Sequence, residues 1–313
     1  MLRPFRFGFQ IRSGTADELR AQARDAEAVG FDVIHTWDHV VDGWSALAPL
    51  HGMAAATERL RVCPLVLNND FHDPVHLARE VAAIDHFTGG RVELGLGAGH
   101  AFTEYAAIGA PFDPPAVRKA RLAESVEVLR RLLDGEEVTY DGEHHRLANV
   151  RTMRALQERL PIMVAVSGPR WLAHAAAHAD VIGLFGLGRT LADGSNHEVQ
   201  WEPSRLDTIV AHIAASAAAS GRSTPPPELN ALVQVVDVTD DRRGAAEALA
   251  TQVASLTVDD ALATPFLALG THDEIAGHLV ASRERWGISY FSVRSIDAFA
   301  PVIERLRAVD ART

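Results

Sequence analysis

His100 and Glu104 are two titratable side chains that follow a glycine-rich strand end, in the segment TGGRVELGLGAGHAFTEY at residues 88–105. The apolar run at 92–96 predicts a short buried strand, and glycines at positions 95, 97 and 99 leave its end free of side chains. A flat ligand could therefore approach the backbone closely. If a helical turn begins at His100, both side chains lie on one side and could hold or move a proton. The alternative is a glycine-rich loop with a solvated histidine and glutamate.

The elements around this segment alternate between strands and helices. Strands are predicted from apolar and β-branched runs, and helices from apolar residues at helical spacing behind a polar cap or a proline. The predicted strands are 5–10, 33–37, 60–67, 92–96, 162–166, 181–184, 229–238 and 290–293. The predicted helices are 15–29, 45–56, 74–87, 117–133, 170–177, 204–219, 243–254, 273–286 and 299–309. This alternation predicts an α/β fold, a (β/α)8 TIM barrel that forms one domain over residues 1–313.

Two stretches exceed what a minimal barrel needs. Residues 135–160 begin with GEEVTYDGEHHR, in which a turn at Asp141-Gly142 between two β-prone pieces predicts an inserted hairpin. Residues 188–203, GRTLADGSNHEVQWEP, are predicted as a long polar loop after the sixth strand. Loops that follow strands build the catalytic face of a barrel, so this loop is a candidate lid. A surface loop without such a role is the alternative.

Residues capable of chemistry recur directly after the predicted strands, and a barrel brings these positions to one face. They are Asp38, His39 and Trp44 after the second strand, Asn68, Asn69 and Asp70 after the third, Gly97, Ala98, Gly99, His100 and Glu104 after the fourth, Ser167, Gly168 and Arg170 after the fifth, and Arg294 after the eighth. The turn at 167–170 opens a helix, whose free N–H groups and positive dipole end suit a phosphate. Asp38 and His39 could instead cap the next segment, and Arg294 could form an ion pair within the barrel.

The bulk composition excludes several kinds of partner. The net charge of -11 argues against nucleic acid, which requires a concentrated basic face, and against an anionic membrane surface. The single cysteine, Cys63, allows no internal disulfide and no cysteine metal cage. Without a signal peptide's apolar core, we expect a soluble cytoplasmic protein. Lys119 is the only lysine, and its charged surroundings predict an exposed helix face unsuited to Schiff-base chemistry.

The 15 histidines raise the question of a metal site. His174 and His178 have the spacing of helical zinc ligands, but the segment AHAAAHAD lacks the glutamate of the H-E-x-x-H motif. We therefore expect this pair to line a helix surface. The first strand, FRFGFQI, also lacks the His-x-His that is typical of metal-dependent barrel hydrolases. No metal is predicted, and a metallohydrolase is a minor alternative.

Taken in order, the segments carry a family resemblance that runs nearly end to end. They include FGFQ at the first strand, AEAVGFDVIHTWDHV around the second, ATERLRVCPLVLNND at the third, HLAREVAAIDHFTGGRVELGLGAG leading into the fourth, and the closing LGTHDEIAGHLVASRERWGISYFSV. The chain resembles the bacterial luciferase-like monooxygenase superfamily, and within it the coenzyme F420-dependent oxidoreductases. The resemblance implies a (β/α)8 barrel that binds a flavin or deazaflavin at its C-terminal face.

The same resemblance implies roles for individual residues. Asp38 and His39 match the Asp-His near the ring, where the histidine is implicated in proton handling, and Trp44 falls near an aromatic that contacts substrate. Asn68 and Asn69 lie where the family often has a non-prolyl cis peptide behind the ring. His100 departs from the family pattern, in which tryptophan or asparagine is common, and this leaves the substrate class open.

The resemblance also implies which residues hold the cofactor. Its ring would be contacted through the backbone of Gly97, Ala98 and Gly99, its phosphate held by Ser167, Gly168 and Arg170, and its anionic tail bound with help from Arg294.

These roles predict hydride transfer between C5 of coenzyme F420 and a small organic substrate, with His39, or His100 assisted by Glu104, moving the proton. F420 ranks above FMN because WDH after the second strand and the arginine-bearing face resemble the deazaflavin branch. With FMN, the same pocket would support a monooxygenase that uses reduced flavin from a partner. A non-catalytic flavin-binding barrel would have lost the acid–base residues that this chain retains. Family members are often homodimers, so a homodimer is possible.

Overall fold

A cylinder of parallel strands lies at the centre of the computed structural model, which describes residues 2–11, 13–41, 43–191, 196–253 and 255–312. The strands are β1 (Arg6–Gln10), β2 (Val33–Thr36), β3 (Arg61–Pro64), β4 (Leu67–Asn68), β5 (Leu94–Gly97), β6 (Val138–Asp141), β7 (Arg146–Val150), β8 (Ile162–Ala165), β9 (Val181–Leu184), β10 (Leu187–Thr190), β11 (His197–Val199), β12 (Glu228–Leu232), β13 (Val235–Val238), β14 (Leu267–Gly270) and β15 (Ile288–Val293).

The central sheet closes on itself. Its nine strands follow the order β3-β2-β1-β15-β12-β9-β8-β5-β4, and neighbouring strands pair in parallel. Because β3 and β4 are two pieces of one interrupted strand, the nine strands occupy eight positions around the barrel. A parallel bridge between Val62 and Val92 joins β3 to the residues before β5 and completes the ring. The predicted (β/α)8 barrel is therefore confirmed.

Helices cover the outside of the barrel. They are α1 (Ala16–Val29), α2 (Ala48–Ala55), α3 (Pro74–Phe87), α4 (Phe102–Ile108), α5 (Pro115–Leu133), α6 (Pro169–His178), α7 (Pro203–Ala219), α8 (Arg242–Gln252), α9 (Val258–Ala263), α10 (His272–Trp286) and α11 (Ile296–Asp310). A short 3₁₀ turn spans Asn69–Phe71. Among the described residues, every helix is too short or too polar to cross a membrane.

Several helices begin where local sequence signals place their starts. Thr15 caps α1 and forms a reciprocal capping box with Glu18, so two backbone N–H groups at the helix start are satisfied. Asp73 caps α3 in front of Pro74, whose missing N–H costs nothing at the first helical position. Such signals are local, which explains why α3 has the predicted bounds.

The first strand shows how alternation separates the inside of the barrel from the outside. Phe5, Phe7 and Phe9 are buried against the helical layer, where the ring of Phe7 lies 6.1 Å from that of Phe299 on α11. The intervening residues of β1 face inward, since successive side chains of a strand point to opposite faces. Gly8 is one of them, and a Cβ there would lie 2.3 Å from His35 Nε2, so the barrel interior requires glycine at this point.

A layer of paired charges fills the N-terminal end of the barrel. Arg6 donates to the carboxylates of Glu93 and Glu228, and Arg61 Nε donates to Glu93 Oε1 at 2.6 Å. Both glutamates are buried. Burial by itself would raise the pKa of Glu93, but the guanidinium groups of Arg6 and Arg61 hold it below its ordinary value. These opposite charges therefore pair with one another, at the end opposite the loops that follow the strands.

The structure corrects three predicted elements. The seventh strand, predicted over 229–238, is two strands: β12 belongs to the barrel, whereas β13 pairs in parallel with β14 in a separate two-stranded sheet. The third strand is interrupted between β3 and β4. The polar stretch predicted as a loop over 188–203 contains the antiparallel hairpin β10–β11, and its residues 192–195 lie outside the described part of the chain.

The inserted hairpin near residue 140 has the predicted form. Strands β6 and β7 are antiparallel, and Gly142 N donates to His145 O at 2.9 Å in the turn between them. Glu124 on α5 accepts hydrogen bonds from the backbone of residues 143–145. The hairpin is thereby tied to the outer face of α5.

Candidate active site

His39 and Glu104 form an ion-pair-type contact at the C-terminal face of the barrel. His39 follows β2, Glu104 lies in the first turn of α4, and Nδ1 of the histidine is 2.6 Å from Oε1 of the glutamate. The glutamate side chain is 11% exposed, whereas the histidine side chain is 41% exposed. The carboxylate is therefore held within the protein while the imidazole stays accessible to a ligand.

This contact corrects the predicted pairing of His100 with Glu104. The prediction required a helical turn to begin at His100, but α4 begins at Phe102 and His100 lies before it in extended chain. The two residues consequently do not share a helix face. Glu104 turns instead toward His39, which is 65 positions away in the sequence.

The contact fixes the proton arrangement of His39. An ionised carboxylate only accepts hydrogen bonds, so Nδ1 of the imidazole carries the hydrogen and donates it to Glu104. In the neutral ring, Nε2 is then the acceptor. A histidine held in this way can accept a proton at Nε2, and the adjacent carboxylate stabilises the resulting imidazolium.

His100 lies between two other imidazole rings. Its ring centroid is 4.6 Å from that of His197 and 5.8 Å from that of His39. Burial, followed by the nearby His197, His39 and Arg118, lowers the pKa of His100 to about 4. His100 is therefore neutral at neutral pH and is not an acid there.

The β10–β11 hairpin brings His197 to this site, a contact that was not predicted. His197 opens β11, and on the facing strand Thr190 Oγ1 donates to the carbonyl of His100 at 3.1 Å. The polar stretch thus packs over the loop after β5. The sequence of this stretch lacks the alternation of apolar and polar residues from which strands are predicted. The hairpin and its contact with His100 are therefore visible only in the folded chain.

Asp38 and Asn68 join the ends of two strands. Asp38 Oδ2 accepts from Asn68 N at 2.8 Å and faces His72 Nε2 at 3.1 Å. Asn68 Oδ1 in turn accepts from Tyr105 Oη at 3.1 Å. Both predicted cofactor-binding side chains therefore already have protein partners. His72 and Tyr105, which sequence reasoning did not assign to the site, are two of them.

The peptide bond Leu65–Val66 is cis, between β3 and β4. The resemblance pointed to Asn68–Asn69, so the structure places this bond three residues earlier in the same interrupted strand. Asn69 is buried, and its Nδ2 has no hydrogen-bond partner within the described residues. An unpaired buried donor at a strand end is unusual, and a ligand acceptor or a water would satisfy it.

The glycines after β5 are required by neighbouring protein groups. A Cβ on Gly97 would lie 2.7 Å from Val66 Cγ2, and a Cβ on Gly99 would lie 2.0 Å from Tyr105 Oη. Gly99 also has a φ of +73°, in the left-handed region. Close packing within the protein accounts for both glycines, whereas contact of residues 97–99 with a cofactor ring stays a prediction.

Lys119 contacts the turn that opens α6. Lys119 Nζ donates to Ser167 O at 2.8 Å and to Ser167 Oγ at 3.1 Å. Lys119 was predicted on an exposed helix face, but its side chain is half-buried because the first turns of α5 lie against this turn. Burial, followed by the nearby Arg118, lowers the pKa of Lys119. A lysine therefore joins Ser167 and Gly168 at the helix start, where anions are favoured.

Arg118, the neighbour of Lys119, secures the loop after β5. Its guanidinium donates to the carbonyls of Ala98 and Gly99 and lies 4.1 Å from the ring centroid of Phe112. Arg170, at the start of α6, is exposed and stacks on Trp171. Of these two arginines, only Arg170 is free to turn toward a ligand without losing backbone contacts.

Arg294 follows the last barrel strand and is not part of an ion pair among the described residues. Its Nε donates to Gln10 Oε1 at 2.7 Å, and its Nη1 donates to Gln234 Oε1 at 3.3 Å. Burial lowers its pKa. The alternative of a barrel ion pair is therefore wrong, and the cation keeps its charge available at the C-terminal face.

Trp44 lies at the edge of the site. Its Nε1 donates to Gly14 O at 3.1 Å, and the side chain is 53% exposed. The indole is held on the loop before α1 rather than over His39, so its predicted contact with substrate stays a prediction.

Comparison with known proteins identifies the family. A family model described as luciferase-like monooxygenase matches residues 1–275. The chain belongs to the luciferase-like monooxygenase family. The F420-dependent glucose-6-phosphate dehydrogenase of Kineococcus radiotolerans is 31% identical over 188 residues, which are 57% of this chain and 56% of that protein. The chain spans about half the length of the curated relatives it matches.

Solved structures share the fold of this family member. An F420-dependent secondary alcohol dehydrogenase, in complex with an F420-acetone adduct, has a TM-score of 0.77 at 20% identity and covers 97% of this chain and 100% of its own. A long-chain alkane monooxygenase has a TM-score of 0.75 at 15% identity and covers 99% and 92%. These likenesses confirm the fold. The predicted membership in a family of enzymes is also confirmed.

The site of this luciferase-like monooxygenase family member fits an anionic, ring-bearing cofactor. Lys119 and Arg294 supply cations at two places on the C-terminal face, and the α6 start supplies backbone N–H groups. The unpaired Nδ2 of Asn69 offers a donor beside the interrupted strand. The C-terminal face therefore offers two cations with uncharged partners and one unpaired amide donor, groups that suit an anionic ligand.

Proposed function

We propose that this protein is an oxidoreductase that transfers a hydride between the deazaflavin coenzyme F420 and a small organic substrate. The observation that carries the proposal is the 2.6 Å contact between His39 and Glu104 at the C-terminal face. Hydride transfer to or from a hydroxyl-bearing or carbonyl-bearing carbon is accompanied by movement of a proton on oxygen. The site therefore needs a group that takes and returns a proton, and His39 has the arrangement for it.

Bound coenzyme F420 would supply hydride acceptance and donation at C5 of its deazaflavin ring. His39 accepts the substrate proton at Nε2 in one direction and returns it in the other. Glu104 keeps Nδ1 of His39 protonated and compensates the positive charge that develops on the ring. His100 remains neutral through this cycle because its pKa is lowered to about 4 by burial and the neighbouring rings. His39 thus transfers the proton, and His100 lines the site as a neutral hydrogen-bonding group.

Groups at three strand ends would bind the cofactor. Lys119, with Ser167 and Gly168, would hold a phosphate at the start of α6. Arg294 would bind a second anionic group, since it has only glutamine partners among the described residues. The amide nitrogen of Asn69 would donate to the ring or to substrate. Two cations held apart suit a long polyanionic coenzyme better than a ligand with one charge.

The relatives support F420 over FMN. Two curated relatives are F420-dependent glucose-6-phosphate dehydrogenases, and this chain aligns with about half the length of each. The family description itself names monooxygenases, which supports the alternative of an FMN-dependent monooxygenase using reduced flavin. The acid–base pair favours the first, because hydride exchange at an alcohol carbon needs a proton carrier.

Titration of the purified protein with coenzyme F420 and, separately, with FMN tests the proposal. Absorbance and fluorescence of each cofactor report binding, and we expect saturable binding of F420 at least tenfold tighter than that of FMN. A panel of small alcohols and sugar phosphates, followed by loss of oxidised F420 absorbance, then tests turnover. Tight binding of FMN with none of F420 would overturn the cofactor assignment and leave the monooxygenase.

A further inference from the structure

Three metal-ligating side chains converge on the outer surface of the barrel, between α5 and α6. Glu127 comes from α5, and His174 and His178 come from α6. One ligand atom from each of the three lies within 4.8 Å of the others. This group is separate from His39 and Glu104, and it rests on none of the residues assigned to the proposed hydride transfer.

The helical spacing of the two histidines and the packing of the two helices bring the group together. His174 and His178 are four residues apart on one face of α6, and their rings stack with centroids 4.4 Å apart. Oε1 of Glu127 lies 2.9 Å from Nε2 of His174. The glutamate that the segment AHAAAHAD lacks is therefore supplied by the neighbouring helix, 47 positions away in the sequence.

The inserted hairpin holds the carboxylate in place. Tyr140 Oη, on β6, donates to Glu127 Oε2 at 3.3 Å. A tyrosine hydroxyl is protonated at neutral pH and therefore donates to the carboxylate. One oxygen of Glu127 is thus occupied and oriented, and the other faces the histidines. Metal-ligating carboxylates are commonly fixed by such outer hydrogen bonds.

We propose that Glu127, His174 and His178 bind one divalent transition-metal ion, with Zn²⁺ as the expected occupant. Two imidazoles and one carboxylate are the ligand types that Zn²⁺ takes, at metal–ligand distances of about 2.0–2.2 Å. Ligand atoms of a tetrahedral site at those distances are about 3.4 Å apart. The close Glu127–His174 contact must therefore open by about 0.5 Å, and the exposed His178 ring must rotate inward. Water would fill the fourth position.

The position of His178 suits this role. Its side chain is exposed and its ring stacks on that of His174, so rotation of the ring can bring a nitrogen to the same ion. A bound ion would connect α5 to α6, and through Tyr140 it would also connect the hairpin. Binding to the folded chain alone would stabilise it in proportion to the logarithm of free metal over Kd.

The test is calorimetric titration of chelator-treated, dialysed full-length protein with ZnCl2, together with thermal unfolding at each metal concentration. We expect one equivalent to bind and the unfolding midpoint to rise. H178A removes an exposed ligand without disturbing the Glu127–His174 contact, and E127Q keeps the shape and the Tyr140 contact but removes the charge. Each should weaken binding at least tenfold. H212A, on the adjacent α7, is the matched control and should bind as the wild type does.

Three outcomes would overturn the proposal. The first is the absence of a stoichiometric site in the wild type. The second is several weak sites that are equal in all the variants, as surface histidines would give. The third is a single tight site that survives in both H178A and E127Q but is lost in H100A, which would place the metal at the strand ends instead.

Discussion

Replacement of Glu93 by glutamine is expected to destabilise the barrel by about 3–5 kcal/mol. The Glu93 carboxylate is buried and accepts hydrogen bonds from Arg61, at 2.6 Å, and from Arg6. Glutamine keeps one acceptor oxygen but no charge, so Arg61 loses its ion pair with Glu93, and Arg6 retains its contact with Glu228. Each charge-assisted hydrogen bond is worth about 1.5–3 kcal/mol, so complete loss of two of them would cost about 3–6 kcal/mol, which overlaps the expected range.

Thermal unfolding measures this cost. At about 2 °C per kcal/mol for a chain of this size, the E93Q variant should lose about 6–10 °C in its unfolding midpoint. The matched control is E247Q, because Glu247 pairs with Arg243 at 3.0 Å on the exposed face of α8. An exposed helix pair contributes under about 0.5 kcal/mol, so the control should shift by about 1 °C. An E93Q midpoint no lower than that of the control would refute the reasoning.

The difference between the wild type and E93Q should also depend on pH. The pKa of Glu93 is held below its ordinary value by Arg6 and Arg61, against the effect of burial. Such a carboxyl contributes stability above its unfolded-state pKa, and the contribution is lost as the pH falls through the folded-state pKa. We expect a constant difference from pH 7 to about 5 and a shrinking one below about pH 4. A difference that grows on acidification would contradict an ionised Glu93.

Three further substitutions test the site. His39→Ala should lower F420-dependent turnover by about 10²–10⁴-fold and leave the Kd of F420 within about threefold, measured by steady-state kinetics and fluorescence titration; unchanged turnover would remove its role. Lys119→Ala should raise that Kd by about tenfold or more, because a charge-assisted contact to phosphate is lost, whereas Lys119→Arg should retain most of the affinity; equal affinities in all three proteins would exclude a phosphate contact. Gly99→Ala should cost about 2–4 kcal/mol in urea unfolding, from its positive φ and the approach of the new Cβ to Tyr105 Oη. Gly109→Ala is its control: Gly109 has a φ of +69° but open space around it, so only the backbone cost of about 1 kcal/mol is expected, and equal costs would contradict a steric contribution at Gly99.

The two ends of the barrel differ in what their charges do. At the N-terminal end, the buried Glu93 and Glu228 are paired with the partly buried Arg6 and Arg61, so their contribution is to stability. At the C-terminal end, Arg294 and Lys119 have uncharged hydrogen-bond partners, whereas Arg121 pairs with Asp70 and Asp113. This division agrees with the general behaviour of (β/α)8 barrels, in which ligands bind at the face where the strands end.

The hairpin β10–β11 packs against the C-terminal face of the barrel. It contacts the loop after β5 through Thr190 and brings the ring of His197 against that of His100. The position of His100 therefore depends on two loops together.

Local sequence determined the elements of this protein. Helix α3 and strand β9 have the bounds predicted for them, because a cap, a proline and a short apolar run are signals carried by neighbouring residues. The alternation of such elements was enough to predict the barrel. The types of residue at the strand ends were also visible in the sequence, since each follows its strand directly.

Only the tertiary structure decided which residues meet. The continuous run 229–238 looks like one strand, yet it forms two. Strand β12 pairs with β15 and β9 in the barrel, whereas β13 pairs with β14. Glu104 pairs with His39 rather than with nearby His100, since α4 starts two residues after the histidine. The physical reason is common to both cases: periodicity and capping act over a few residues, whereas pairing, burial and shifts in pKa arise from groups brought together across the fold.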